Sequence, residues 1–127
     1  MSRTNYSSGS PWEDIVGYSL AVKTGNIIEV AGTTASENGN AVFMNDYYGQ
    51  TRFILEKIKK TLEQAGASME DVVRTRIYVC DISQWESVAK AHAEFFLGIK
   101  PAATMVEVSR LIDPELLIEI EVTAVIV

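Results

Sequence analysis

Chemistry in this 127-residue chain can rest on only a few side chains. Glu119 and Glu121 stand two apart near its end, and Arg74, Arg76 and Tyr78 stand two apart in another β-type segment. Residues at that spacing share one face of a strand, so a sheet would display carboxylates and guanidinium groups together. If that face is desolvated, the carboxyl pKa of Glu119 rises and suits proton transfer. The competing reading of Glu119 is an ion pair with Arg76 or Arg74, while Glu121 reads as structural. Arg76, with Arg74 as runner-up, would either supply the positive charge of a pocket or pair with a carboxylate across strands. Tyr18, at the start of the first β-type segment, would close a phenol over a ligand or cap the core. His92 falls on the apolar stripe of a helix, the place of a hydrogen-bonded core histidine. Cys80 reads as a plain buried thiol, and Trp12 and Trp85 as packing residues. Ser7-Ser8-Gly9-Ser10 is no nucleophile elbow, because no strand leads into it.

These groups need elements to hold them. Residues 1–14 are rich in Ser, Asn and Gly and predict an irregular arm with one buried anchor, Trp12. Tyr18 to Ala35 read as a hairpin hinged at Thr24-Gly25-Asn26, and Asn38-Gly39-Asn40 as another turn. From Asp46 the apolar positions Tyr47, Thr51, Ile54, Leu55, Ile58, Leu62 and Ala65 recur at helical spacing as far as Gly66. Asp71 to Cys80 predict a strand with Val73, Thr75, Ile77 and Val79 on one face and Arg74, Arg76 and Tyr78 on the other. Ser83 and Glu86 have the spacing of a capping box opening a second helix that stops near Gly98. Strands over 103–111 and 116–127 close the chain, the last with Ile118, Ile120, Val122, Ala124 and Ile126 on one face and Glu119, Glu121 and Thr123 on the other. The order ββ, α, β, α, ββ predicts an α+β two-layer sandwich, a sheet with two helices on one face. The other face is too apolar to be merely wet and too charged to be a core, which reads as a subunit interface with pockets.

Composition narrows the function. With 47% hydrophobic and 22% charged residues, the chain matches a single packed globular domain over 1–127. One cysteine cannot close an intrachain disulfide, and one cysteine with one histidine cannot build a Cys/His zinc cluster, so neither a metal nor a cofactor is expected. The net charge of −6, with Lys57, Lys59 and Lys60 offset by Glu56 and Glu63, opposes nucleic-acid binding. No apolar stretch approaches the ~18 residues of a membrane span, and a soluble cytoplasmic protein with no membrane partner is the expectation.

Gly17-Tyr18, VAGTTA (30–35), VRTRIYVCD (73–81), AHAEFF (91–96), PAATMVEVSRL (101–111) and IEIEVTA (118–124) resemble the Rid family, also called the YjgF family, over nearly the whole chain. The resemblance implies a fold similar to bacterial chorismate mutase, a homotrimer, and small-molecule pockets between adjacent subunits. It also implies hydrolysis of reactive enamines and imines to a 2-keto acid and ammonia. The family's substrate-clamping arginine falls at Ala103, its thiol position at Met105 and its helix asparagine at Ala89, whereas Tyr18, Gly32 and Glu119 are retained. The expected site therefore comprises Glu119 and Tyr18 as catalytic residues, with Arg76, Gly32, Ala103 and Met105 around the ligand. The expected activity is Glu119-assisted water addition to a small enamine, imine or related carbonyl metabolite. With alanine at 103, deamination of 2-aminoacrylate is not carried over. The alternatives are a small-molecule-binding or chaperone-like trimer without turnover and, ranked last on charge, an endoribonuclease and translation inhibitor.

Overall fold

The computed structural model describes residues 2–127. Eight strands and two helices follow one another as β1 (Arg3–Tyr6), β2 (Ala21–Thr24), β3 (Ile27–Thr34), β4 (Ser36–Glu37), β5 (Asn40–Ala41), α1 (Tyr47–Gln64), β6 (Val72–Val79), α2 (Trp85–Phe96), β7 (Ala102–Glu107) and β8 (Ile118–Val125). Six strands form one mixed sheet in the order β1-β2-β3-β8-β6-β7, in which only β6 and β7 run parallel, and β4 and β5 form a separate small ribbon. The α+β two-layer architecture expected from the pattern is the one observed.

The core lies between this sheet and the helices. From α1 come Ile54, Leu55, Ile58 and Leu62, from α2 Val88 and Phe96, and from β8 Ile118, Ile120, Val122 and Ala124, all buried together. Burial of each large apolar side chain contributes about 1.5–3 kcal/mol, which is why helical spacing in one segment and alternation in the other both point at the same layer. Asp46 caps α1 by accepting from the Gly49 N–H at 2.8 Å, and Gly66 ends it at φ +87°, a left-handed angle that suits glycine. A buried Gln50 was not anticipated. Its Nε2 donates to the carbonyls of Val42, Phe43 and Glu115, and its Oε1 accepts from the Leu117 N–H, tying both flanking loops to α1.

Four expectations need correction. Residues 1–14 are not wholly irregular: Arg3–Tyr6 pair antiparallel with β2, and Glu13–Gly17 wind into a short π-type turn. Ladder hydrogen bonds hold this edge strand, whose side chains are mostly exposed, so no apolar alternation marks it in sequence. Trp12 is 61% exposed and does not anchor the segment. Val73 points outward instead of into the core, because a bulge between Val72 and Arg74 shifts the register against β8 and gives Val72 the buried place. The capping box at Ser83 is absent; Asp81 accepts from the Ser83 N–H and hydroxyl, and a 3₁₀ turn over Ile82–Gln84 leads into α2.

Candidate functional site

Cross-strand register decides which side chains share the face left bare by the helices. Arg76 pairs with Glu121 and Tyr78 with Glu119 across β6 and β8, while Thr123 pairs with both Arg74 and Glu29. The intervening residues Thr75, Ile77 and Val79 face the helices. Glu119, Glu121, Arg74, Arg76 and Tyr78 therefore stand together on the open face, as the spacing predicted.

Their bonding is more specific than the sequence allowed. Glu121 is the carboxylate that pairs with Arg76, at 3.9 Å, and it also accepts from the Tyr78 hydroxyl at 2.9 Å. Arg74 Nη2 donates to Thr104 Oγ1 on β7 at 2.8 Å, and its Nε is buried without a partner among the described residues. Glu119 has neither a hydrogen bond nor an ion pair among the described residues. Burial first, and the neighbouring charge of Glu121 second, push its carboxyl above the usual carboxylate range. The ion pair with Arg76 or Arg74 weighed from sequence does not form.

Gly32 explains where the Glu119 carboxyl rests. One extra residue between Val30 and Thr33 bulges β3 against β8 and turns Thr33 inward, where it is buried. A Cβ placed on Gly32 would lie 2.8 Å from Glu119 Cδ and 3.1 Å from its Cγ, so only glycine leaves room for that side chain.

Tyr18 and Arg76 meet elsewhere on the same face. Both line a cavity of about 610 Å³ with Gly17, Ser19, Glu29 and Glu121, while Glu119 and Gly32 do not line it. Gly17 sets this corner at φ +89°, and the 44% exposed Tyr18 donates its N–H to the Glu13 carbonyl. Glu13, which sequence reasoning passed over, accepts from the Ser8 N–H at 2.9 Å and from the Ser8 hydroxyl. Those bonds fold the Ser-rich segment around it, and nothing in the spacing of these residues announces the contact.

Ala103 and Met105 lie on the opposite side of the sheet. β7 pairs in parallel register with β6, Ala103 beside Thr75 and Met105 beside Ile77, so both share the helix-facing side. Within one chain they cannot join Glu119. His92 sits in the layer between sheet and helices, 3.0 Å from Thr75 Oγ1 and with its ring 4.7 Å from that of Phe96 at a tilt of 43°, and burial holds its pKa below the usual histidine value. Cys80 is partly exposed, with Sγ 3.6 Å from the Leu116 carbonyl. Among the described residues no helix is long and apolar enough to cross a membrane.

Comparison with known proteins places this geometry in context. The family described as Endoribonuclease L-PSP matches residues 10–126. A RutC family protein of Pyrococcus abyssi is 42% identical over 109 residues, 84% of each chain. A solved structure from Mycobacterium tuberculosis, a member of the YjgF/YER057c/UK114 family, superposes with a TM-score of 0.90 at 51% identity, covering 98% of this chain and all of the other. A Yersinia pestis structure from the conserved Rid protein family gives a TM-score of 0.85 at 32% identity, again over 98% of this chain and all of the other.

Proposed function

We propose a function from one premise: the chain belongs to the Endoribonuclease L-PSP family, the YjgF/Rid family. It works as a homotrimer with small-molecule pockets between subunits, where Glu119 assists water addition to the carbon–nitrogen double bond of a small imine, or of the iminium that an enamine gives once a proton has added to its carbon. The observation that carries this reading is the Glu119 carboxyl, partly buried, unpaired among the described residues and shifted toward its protonated form. A carboxyl held in that way can give a proton to the substrate nitrogen and then take one from water as it attacks the carbon. The carbinolamine that forms releases ammonia and leaves a carbonyl. Tyr18, which within one chain lines a neighbouring cavity and not the surroundings of Glu119, would bring its phenol to this pocket from a second copy. Placement of Ala103 and Met105 on the far side of β7 supports a site made from two chains, since only a second copy could bring that side of the strand toward a Glu119.

A second reading, binding without turnover, is favoured by the two guanidinium groups that line the Tyr18 cavity both having partners, Arg76 beside Glu121 and Arg3 donating to Asn5 Oδ1. Endoribonuclease activity is set last, because a net charge of −6 gives RNA no positive track. The deciding experiment follows ammonia release from a panel of small imines and enamines, including a 2-aminoacrylate generator, with wild type and Glu119→Gln. Hydrolysis reduced about 10²- to 10⁴-fold by the substitution supports the catalytic reading. Saturable binding with equal background rates for both proteins would replace it with the second.

A further inference from the structure

On the open face the polar groups of β6 bond away from Glu119. Arg76 is held by Glu121, Arg74 reaches away to Thr104, and Tyr78, directly across from Glu119, gives its hydroxyl proton to Glu121. What remains around the Glu119 carboxyl is Gly32, Thr34 as its partner across β3, a second carboxylate two residues on, and backbone. An anion entering here would meet two carboxylates, with the guanidinium nearest to Glu119, that of Arg76, already beside Glu121. A planar group carrying two N–H donors would instead find an acceptor with both oxygens unclaimed among the described residues. The side of β7 that a second copy could bring up offers Ala103 and Met105, which add no charge.

We propose that the Glu119 site selects substrates whose reacting end is an uncharged or cationic planar nitrogen group, of amidine, amide or iminium type, and rejects those presenting a carboxylate there. This rests on Glu119 being the ligand-facing carboxyl of the proposed function, and it adds the charge of the substrate. An amidinium, with one N–H from each nitrogen, would bridge the two oxygens of the Glu119 carboxylate as a guanidinium does, an iminium N–H would bond one of them, and either would hold the electrophilic carbon over the face for water to attack.

Three probes with one carbon skeleton separate the possibilities: isobutyramidine, isobutyramide and isobutyrate, carrying positive, zero and negative charge. Binding to the full-length protein is followed through the side-chain carboxyl carbon signal of Glu119 in ¹³C-labelled protein. The expected result is that isobutyramidine binds at least about tenfold more tightly than isobutyrate, with isobutyramide between them. Glu119→Gln, followed through the ¹³C signal of the side-chain amide carbon that replaces the carboxyl, should abolish the preference, and Glu121→Gln, which leaves the Glu119 acceptor in place, should weaken it only in part. Isobutyrate binding as tightly as the amidine, with the Glu119 signal moving, would overturn the charge selection and leave the proposed site standing. No movement of that signal with any of the three at tens of millimolar would overturn both.

Discussion

Gly32→Ala tests the packing on which the behaviour of Glu119 depends. The new methyl would sit 2.8 Å from Glu119 Cδ and 3.1 Å from Cγ, well inside the ~3.5–4.0 Å at which carbon atoms pack comfortably. Backbone on β3 and β8 is held by the ladder, so the flexible Glu119 side chain gives way. Turning it off its rotamer costs about 0.5–1.5 kcal/mol. Near 1 kcal/mol, a domain of this length should lose roughly 4 °C in Tm at fixed protein concentration. The displaced carboxyl also loses part of its burial, the main cause of its raised pKa, so that pKa should fall toward the ordinary value of about 4.3. Two assays read this: thermal unfolding of Gly32→Ala in the wild-type and Glu119→Ala backgrounds, and a carboxyl ¹³C titration of Glu119. The gain from restricting a glycine in the unfolded chain is common to both backgrounds and cancels in the cycle. The penalty should therefore disappear without the Glu119 side chain. If Gly32→Ala costs the same in both backgrounds and the Glu119 titration does not move, the contact is not what holds this carboxyl.

Three further outcomes follow from the same contacts. For Glu119, folding raises the carboxyl pKa, so the folded chain binds more protons than the unfolded one between about pH 4.3 and the raised value; stability falls as pH rises through that window, and Glu119→Gln should be more stable than wild type at neutral pH in chemical denaturation. His92 has the opposite sign: its pKa is lowered, so its contribution is complete above about pH 6.5 and is lost as pH falls through the lowered value, a loss that His92→Gln should not show in paired urea titrations. Gln50→Leu strands three carbonyls and one N–H beside a buried side chain, and should destabilise by at least about 2 kcal/mol in urea unfolding.

Much of the site was legible because alternation is a strong signal on a strand buried on one side. Glu119 and Glu121 read as outward neighbours because Ile118, Ile120 and Val122 had to point inward, and the register confirms it. Alternation fails where a bulge inserts a residue, which is why Val73 was placed on the wrong face and the packing of Gly32 against Glu119 could not be derived from spacing. It carries no information about edges, and β1, held by main-chain bonds with few buried side chains, was invisible. Gln50 was hidden for a related reason: a polar residue on a buried helix face looks like an interruption until the loops that need its four hydrogen bonds are in place.

By itself, the sequence determined the layers of this protein, the segments that build them, and the exposure of a charged sheet face, because apolar periodicity is local and burial rewards it directly. It also carried the family resemblance. Only the tertiary structure decided which charges neutralise one another. A two-residue spacing puts Glu119 and Glu121 on one face as equals, and it takes the register of β6 against β8 to give Arg76 and Tyr78 to Glu121. The bulge in β3 then sets Gly32 beside Glu119, which is left partly buried and without a partner among the described residues. Long-range pairing assigns those partners, and no property of a single segment encodes it.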